Sequence, residues 1–287
     1  MDAGRYKPYI ANRGPSVNLW RDFDFAAIAS DPGIGNHWFD DLTGVPYVSV
    51  DSSSADVTST IGGINYFVDG TTTGNQQLDF NPGGTIDTTT QNKSVLGYVS
   101  IDSAATAVDN EQTGLMWGMP VILDARTRLA AIEFRIKATV LATYDMFIGW
   151  YKSATTLTTG IPIASDATIA TTNGFLGFHK VAATGVMDVK YNVGGGTTTA
   201  GPTTAATLVA STWTKIGIRF DRNAKNTQTI SYWQDGVPLS SYTSAALAAA
   251  AAFPTTTVLS PCIALRASET TDYGIFTCDW VRVAQMF

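Results

Sequence analysis

Charged side chains are scarce in this sequence, and its basic residues do not gather into a patch. Asp, Glu, Lys and Arg make up only 15% of the 287 residues, and the formal net charge is −6. The longest basic stretch is Arg126-Thr127-Arg128. Because affinity for nucleic acid depends on clustered Lys and Arg, this composition argues against a nucleic-acid partner. So little charge also predicts that other chains cover part of the surface.

Long apolar runs are missing as well. The opening residues, 1–15, lack the apolar core that a signal peptide needs. The longest nearly apolar stretch, residues 245–253, is far too short to span a bilayer, and no basic amphipathic helix is present to bind a membrane surface. We therefore expect no membrane partner. We also expect a product that is made and kept in the cytoplasm unless it leaves by a route such as cell lysis.

Cysteine and histidine are too few to suggest a metal centre. The chain has two of each, Cys262, Cys278, His37 and His179, and their spacing matches no zinc site. The cysteines could pair across neighbouring C-terminal strands, but buried free thiols are the favoured interpretation for a cytoplasmic product. His179 lies in an apolar run and is interpreted as a structural residue, and His37 as a turn cap or a partner contact. No metal and no cofactor are predicted.

Period-two alternation, the mark of half-buried strands, is what the sequence has in abundance. In residues 132–140 apolar side chains alternate with Glu133, Arg135 and Lys137. Residues 146–151 are apolar at both parities, which predicts a strand covered on both faces.

A hairpin is predicted in the second half of the chain. Residues 214–220 and 227–233 alternate as two neighbouring strands, and the polar residues 221–226 join them. Asp235-Gly236 then predicts a tight turn, with the glycine supplying a positive φ.

The last strand, residues 275–283, is predicted to alternate strictly. This puts one set of side chains on one face and a second set on the other: Thr277, Asp279, Val281 and Val283 against Phe276, Cys278, Trp280 and Arg282. Only residues 242–253 have a helix-like composition, which is rich in alanine. The chain is therefore predicted to be all-β.

Residues 1–22 are predicted to form an extended N-terminal arm ahead of a single β-sandwich domain, residues 23–287. Pro8, Gly14 and Pro15 interrupt the arm, and scattered aromatic and aliphatic side chains give it apolar anchors. Such an arm cannot fold alone, so it must lie on its own domain or on a neighbour. We favour docking on a partner.

Four stretches, taken in their order, resemble a concanavalin A-like (laminin-G/lectin-type) jelly-roll sandwich. They are AAIEFRIKATV (130–140), DMFIGWYKS (145–153), STWTKIGIRFDRNAKNTQTISYWQDGVPL (211–239) and TCDWVRVAQ (277–285). Residues 115–287 carry the resemblance, and the N-terminal third matches less well. The family includes lectins, glycan hydrolases, adhesion modules and virion surface proteins, and the fold alone does not choose among them.

Glycan hydrolysis is the enzyme activity that this resemblance suggests first, and the carboxylates speak against it. Retaining hydrolysis needs two carboxylates about 5 Å apart, and the hydrolases of this family carry alternating acidic residues on one strand. The three glutamates, Glu111, Glu133 and Glu269, form no such run, and Arg135 and Lys137 follow Glu133 on its face. No Gly-x-Ser-x-Gly elbow surrounds a serine either. We therefore predict no catalytic residues and no enzyme.

Three clusters of Asp and Asn offer the oxygen ligands that calcium prefers. They are Asp40-Asp41, residues 109–111 and residues 221–226, the last of which weakly resembles the calcium loop of legume-type lectins. Turn chemistry explains all three equally well and is the interpretation that we favour. Residues 194–196, three glycines, lack the Lys-Ser/Thr of a phosphate-binding loop.

Trp233 is predicted to face outwards, because its parity is opposite to that of Ile230 and Tyr232. It could bind a glycan, meet another subunit, or pack under a loop.

The low charge, the Thr/Ala/Gly-rich composition and the arm resemble phage virion proteins that decorate a capsid. We expect a non-enzymatic capsid cement or decoration protein, located on the virion and made in the host cytoplasm. Its expected partners are the major capsid protein and copies of itself, for example in a trimer. The alternative is a carbohydrate-binding adhesion or tail-fibre module, and a glycan hydrolase is less favoured.

Overall fold

The computed structural model is a two-layer β-sandwich. It describes residues 14–42, 50–51, 57–61, 64–70, 77–79, 99–102, 112–152, 163–165, 168–169, 172–195, 199–201, 203–223, 228–239, 253–267 and 275–287. The helices are α1 (Val17–Trp20) and α2 (Phe25–Ser30). The strands are β1 (Gly35–Asp40), β2 (Val50–Asp51), β3 (Val57–Ile61), β4 (Ile64–Gly70), β5 (Gln77–Asp79), β6 (Val99–Asp102), β7 (Gln112–Trp117), β8 (Val121–Ile122), β9 (Leu129–Ala138), β10 (Tyr144–Lys152), β11 (Ile163–Ser165), β12 (Thr168–Ile169), β13 (Phe175–Lys180), β14 (Val186–Asn192), β15 (Thr199–Ala200), β16 (Ala206–Thr207), β17 (Thr214–Arg222), β18 (Gln228–Gln234), β19 (Val237–Pro238), β20 (Val258–Ala267) and β21 (Ile275–Met286).

Two antiparallel sheets make up the sandwich, which confirms the predicted all-β class. The first sheet has the order β19-β18-β17-β9-β21-β6-β5-β2, with β1 also paired to β21. The second has the order β15-β14-β13-β10-β20-β7-β4-β3, with β16 on β14 and β8 on β20. The helix-like stretch 242–253 lies, apart from its last residue, outside the described residues. Within the described ranges, no helix is long and apolar enough to cross a membrane.

The predicted alternation holds in the central strands. In β9, Ile132 and Phe134 belong to the core between the sheets, and Glu133 and Arg135 lie at the opposite parity. Strand β10 is buried at every position from Tyr144 to Tyr151, which confirms that both of its faces are covered. Each large apolar side chain buried in this way contributes roughly 1.5–3 kcal/mol.

The predicted strict alternation of the last strand is wrong. Cys278 pairs with Ile136 and Trp280 with Arg135, so Asp279 is an extra residue in β21. This β-bulge reverses the parity beyond it. The core consequently takes Phe276, Cys278, Val281 and Val283, whereas Trp280 and Arg282 face outwards with Arg135 and Glu133.

The hairpin and its turn are confirmed. Strands β17 and β18 pair from Ile216 with Gln234 to Arg222 with Gln228. Asp235 and Gly236 have φ of 51° and 78°, and they link Gln234 directly to Val237 across the β18–β19 ladder. Two successive positive φ angles are what a two-residue hairpin turn requires.

The cysteines are free and buried, as favoured. Cys262 lies in β20 of the second sheet and Cys278 in β21 of the first, so the two are in different layers. Burial raises the pKa of both thiols. A buried thiol that stays protonated is chemically inert and serves as packing.

Candidate functional site

An N-terminal segment, residues 14–30, covers part of the outer face of the first sheet. Gly217 allows a close approach, because a Cβ at that position would lie only 2.6 Å from Leu19 Cδ1. The apolar side chains of the segment and of the sheet form one buried cluster: Leu19, Trp20, Phe23 and Ile28 with Leu129, Ala131, Ala284 and Met286.

Glu133 is the polar centre of this contact. Its Oε2 accepts hydrogen bonds from the Ser16 backbone N–H at 2.9 Å and from the Trp20 indole N–H at 2.7 Å. The side chain is buried, with 1% exposure, and burial raises the pKa of its carboxyl group. Glu133, a candidate acid in a hydrolase, therefore serves to hold the N-terminal segment.

Two basic residues of β17, Arg219 and Lys215, bind the same segment. The Arg219 guanidinium donates to the Leu19 carbonyl at 3.0 Å and to the Asp22 carboxylate at 2.6 Å. Lys215 Nζ donates to the Gly14 carbonyl at 3.3 Å. These bonds fix the segment at its start and just after α1.

Arg282 of β21 completes the contact with its flat guanidinium. Its Cζ lies 3.9 Å from the ring centre of Phe25 and 4.7 Å from that of Trp20. Its Nε also donates to His37 Nε2 at 3.1 Å. Burial and the Arg282 charge lower the pKa of His37 to about 4, so the neutral ring accepts this bond within its own chain.

The favoured docking of the arm on a partner is wrong for its described part. Residues 14–22 lie on the first sheet of their own chain, and residues 1–13 are outside the described residues.

Trp233 faces outwards, as predicted. It packs against the cluster of the N-terminal segment, and its indole N–H donates to Ser231 Oγ at 2.9 Å. Of its three alternatives, packing within its own chain is the one supported, and the covering element is the N-terminal segment with its two helices rather than a loop.

The outer face of the second sheet is also covered. Its apolar side chains form a buried cluster: Met116, Phe147, Tyr151, Ile169, Phe175, Cys262 and Ala264. Two carboxylates of this sheet accept backbone bonds from turns, Asp145 from Ala182 at 2.6 Å and Asp188 from Thr204 at 2.8 Å. Both carboxylates therefore anchor turns. Glu269 and residues 109–111, which include Glu111, are outside the described residues.

His179 is buried opposite Asp188 in the same sheet, with 1% exposure. Neither of its ring nitrogens has a hydrogen-bond partner in the described part of the chain. Burial, reinforced by the charges of Lys190 and Lys180, lowers the pKa of His179 to about 3. The imidazole is therefore neutral and packed, in keeping with its predicted structural role.

The Asp-rich clusters that the structure describes are turns and ion pairs. Asp40 accepts the Trp117 indole N–H and the Leu42 backbone N–H, both at 2.9 Å. Asp221 takes two bonds from Arg219, at 2.8 and 2.9 Å. Across the described ranges, no group of three or more His, Cys, Asp or Glu could hold a metal ion.

A second patch of the first sheet's outer face carries an aromatic ring between cations, and we call it the Trp213 cluster. It consists of Trp213, Arg135, Lys137 and Asp279. Arg135 Cζ lies 4.3 Å and Lys137 Nζ 4.9 Å from the Trp213 ring centre. Arg135 also forms an ion pair with Asp279, the bulge residue of β21. Trp213 and Lys137 are both partly exposed.

Phe39 of β1 extends this patch to the next strand. It is 43% exposed, and its ring centre lies 6.0 Å from that of Trp280. The strands β17, β9, β21 and β1 are successive neighbours, and the register puts Trp213 level with Lys137 but Phe39 level with Glu133, four residues along β9. Three strand spacings and four residues of rise place Trp213 and Phe39 about 20 Å apart.

Sequence reasoning missed the Trp213 cluster. Its parts lie on β9, on β21 and just before β17, and Arg135 and Asp279 are 144 residues apart. Trp213 comes opposite Lys137 only through the register, in which Thr214 pairs with Ile136, so the sequence alone carried no signal for the cluster.

The comparisons with known proteins bear on the fold. No protein-family model and no curated protein matches this sequence. The carbohydrate recognition domain of Emp47p is similar over 90% of this chain and 99% of that one, with 8% identity and a TM-score of 0.50. A glycoside hydrolase family protein from Mycobacterium thermorestibile is similar over 86% and 99%, with 12% identity and a TM-score of 0.48. A protein of unknown function from Shewanella oneidensis MR-1 is similar over 88% and 87%, with 18% identity and a TM-score of 0.47.

The likeness to the Emp47p domain, together with the two antiparallel sheets, confirms the concanavalin A-like jelly-roll sandwich. At identities this low, the comparisons show the fold and leave the function open.

Proposed function

We propose that this protein is a non-enzymatic, carbohydrate-binding β-sandwich that contacts glycans with the Trp213 cluster and Phe39. The observation that carries the proposal is a partly exposed indole beside charged side chains on one sheet face, with an exposed phenyl ring on the same face. Aromatic faces offer apolar area to the C–H groups of a sugar, and a few placed polar groups fix its orientation.

The absence of catalysis in this proposal rests on the structural roles of four carboxylates, three of them buried. Glu133 holds the N-terminal segment, Asp279 pairs with Arg135, and Asp145 and Asp188 accept backbone bonds. None of these four is left poised as a general acid or nucleophile. The likeness to the Emp47p carbohydrate recognition domain supports a binding role on this fold.

Replacing Trp213 by alanine tests the proposal. We expect oligosaccharide affinity, measured by calorimetry with a glycan identified on an array, to fall at least about tenfold, which corresponds to about 1.4 kcal/mol. Phe39→Ala is expected to weaken binding less. Phe287→Ala is the matched control, because Phe287 is similarly exposed at 44% and lies outside the patch. Equal affinities for Trp213→Ala and wild type would contradict the proposed site.

The second candidate function is capsid decoration on a phage particle. What favours it is the low charge of the sequence, 15% Asp, Glu, Lys and Arg, which suits a surface covered by other chains. The bonds at Ser16, Leu19 and Gly14 hold residues 14–22 on their own sheet, so this candidate assigns attachment to residues 1–13. The partners would be the major capsid protein and further copies of this chain.

Deleting residues 1–13 is the test of capsid decoration. We expect the shortened protein to keep the melting temperature of the full chain and to lose co-sedimentation with particles. If mass spectrometry finds no copies of the full chain on purified particles, this candidate fails. If the deletion leaves attachment unchanged, the arm is not the attachment element.

A further inference from the structure

The cations of the Trp213 cluster outnumber its anions. Arg135 and Lys137 carry two positive charges, and Asp279 carries the one carboxylate. Lys215, which pairs with Arg135 across β17 and β9, does not add to this excess, because Glu133 offsets its charge. This local excess stands out in a chain whose net charge is −6.

Lys137 differs in its surroundings from Arg21 and Arg126, two exposed basic side chains. Arg21 and Arg126 have Asp22 and Asp124 beside them. Lys137 forms no ion pair with any carboxylate of the described residues, and its Nζ instead lies over the Trp213 ring. A lysine over an indole face keeps its full charge and can still meet an anion from the solvent side.

We propose that the Trp213 cluster selects acidic saccharides, whose carboxylate or sulfate group pairs with Lys137 while a sugar face lies against Trp213. This inference rests on the proposed glycan-binding function and adds the class of ligand. Arg135 and Lys137 project from the same face of β9, two residues apart, and reach the indole from the sheet. Because Lys137 Nζ is 4.9 Å from the ring centre, a sugar that lies against the exposed part of the indole and extends past the ring edge brings its acidic group to this ammonium.

Neighbouring groups suit the same ligand. Ser211 and Thr212 directly precede Trp213 and are exposed, so their hydroxyl groups are placed to bond sugar hydroxyls. Arg135 is committed to Asp279, which leaves Lys137 as the cation for the ligand. The ion pair between Lys137 and the acidic group of the ligand is partly exposed to solvent, so its strength falls as salt is added.

Three ligands of equal length test the inference: a neutral oligosaccharide, a uronate oligosaccharide and a sulfated neutral oligosaccharide. Affinities are measured by calorimetry for wild type, Lys137→Met, Lys137→Arg and the matched control Lys152→Met, an exposed lysine on the second sheet. We expect Lys137→Met to weaken binding of one or both acidic ligands about five- to tenfold, to weaken binding of the neutral ligand less than about twofold, and to abolish most of the salt dependence. Lys137→Arg should retain most of the affinity, and Lys152→Met should match wild type.

The different ligands and variants distinguish the ways in which the inference could be wrong. If the uronate alone responds to Lys137→Met, the ligand carries a carboxylate, and if the sulfated sugar alone responds, it carries a sulfate. Equal affinity for neutral and acidic ligands, or acidic-ligand affinities unchanged in Lys137→Met, overturns the inference while the glycan-binding function stands. If none of the three ligands binds and Trp213→Ala has no effect on any arrayed glycan, the proposed function fails as well. Melting temperatures show whether each variant is folded. If Lys137→Met does not fold, the comparison of Lys137→Arg with wild type still tests the inference.

Discussion

Glu133→Ala is expected to destabilise the protein by about 3 kcal/mol and to release the N-terminal segment. The substitution removes the acceptor of two buried donors, the Ser16 N–H and the Trp20 indole N–H. It also leaves Arg282 and Lys215 without the carboxylate that offsets their charge. Breaking a buried charge contact in this way costs several kcal/mol.

The segment itself supplies a specific measurement for this prediction. Arg21 follows α1 and is exposed, so trypsin cleavage after Arg21 reports how often the segment opens. We expect faster cleavage there in Glu133→Ala, together with faster amide exchange over residues 16–30. Urea unfolding then gives the loss of stability.

Two further variants separate the hydrogen bonds from general damage. Glu133→Gln keeps an acceptor oxygen but loses the charge, so an intermediate effect is expected. Asp124→Ala removes a carboxylate from an exposed ion pair with Arg126, which should cost no more than about 1 kcal/mol. Unchanged cleavage after Arg21 in Glu133→Ala would show that the apolar cluster alone holds the segment.

The strands of this sandwich were predictable because alternation is a local signal. Ile132, Phe134 and Glu133 reveal the two faces of β9 within three residues, and Asp235-Gly236 reveals its turn by its own chemistry. The bulge at Asp279 was not predictable from β21 alone. It is seen in the register against β9, a strand more than a hundred residues earlier.

The surface of the sandwich was harder to predict than its core. Ser16 and Glu133 are 117 residues apart in sequence, and period-two alternation places Glu133 on an outer face without saying what covers that face. The alternation was correct for Trp233 too, but the choice among its three outer-face roles required the position of the N-terminal segment. Parity predicts the face of a side chain, whereas its partner depends on strand order and on segments that cross the sheets.

Acid sensitivity that depends on His179 is the second prediction with a large expected effect. The pKa of His179 is lowered from 6.5 to about 3 in the folded protein. Between these pH values the unfolded chain binds a proton that the folded chain does not, so stability is lost as the pH falls through this window. At pH 4.5, two units below 6.5, the loss from this residue is roughly 3 kcal/mol.

His179→Leu removes this titration and the two unpartnered ring nitrogens. At pH 7.5 we expect the variant to be within about 1 kcal/mol of wild type, because an apolar side chain of similar size replaces a neutral ring. On acidification to pH 4.5 the variant should gain roughly 2 to 3 kcal/mol relative to wild type. Urea unfolding of both proteins at the two pH values gives this difference, in which the titration of shared groups such as Glu133 cancels.

His37→Gln is the matched control, since it removes the other histidine of the chain. The pKa of His37 is also lowered, to about 4, but its exposed position lets solvent reach a protonated ring, so a smaller relative gain in acid is expected. If His179→Leu and wild type lose stability in parallel between pH 7.5 and 4.5, the folded protein takes up the proton at His179. The outer face of the second sheet must then rearrange to give the imidazolium a partner, and Asp188, which lies directly opposite, is the nearest carboxylate by register.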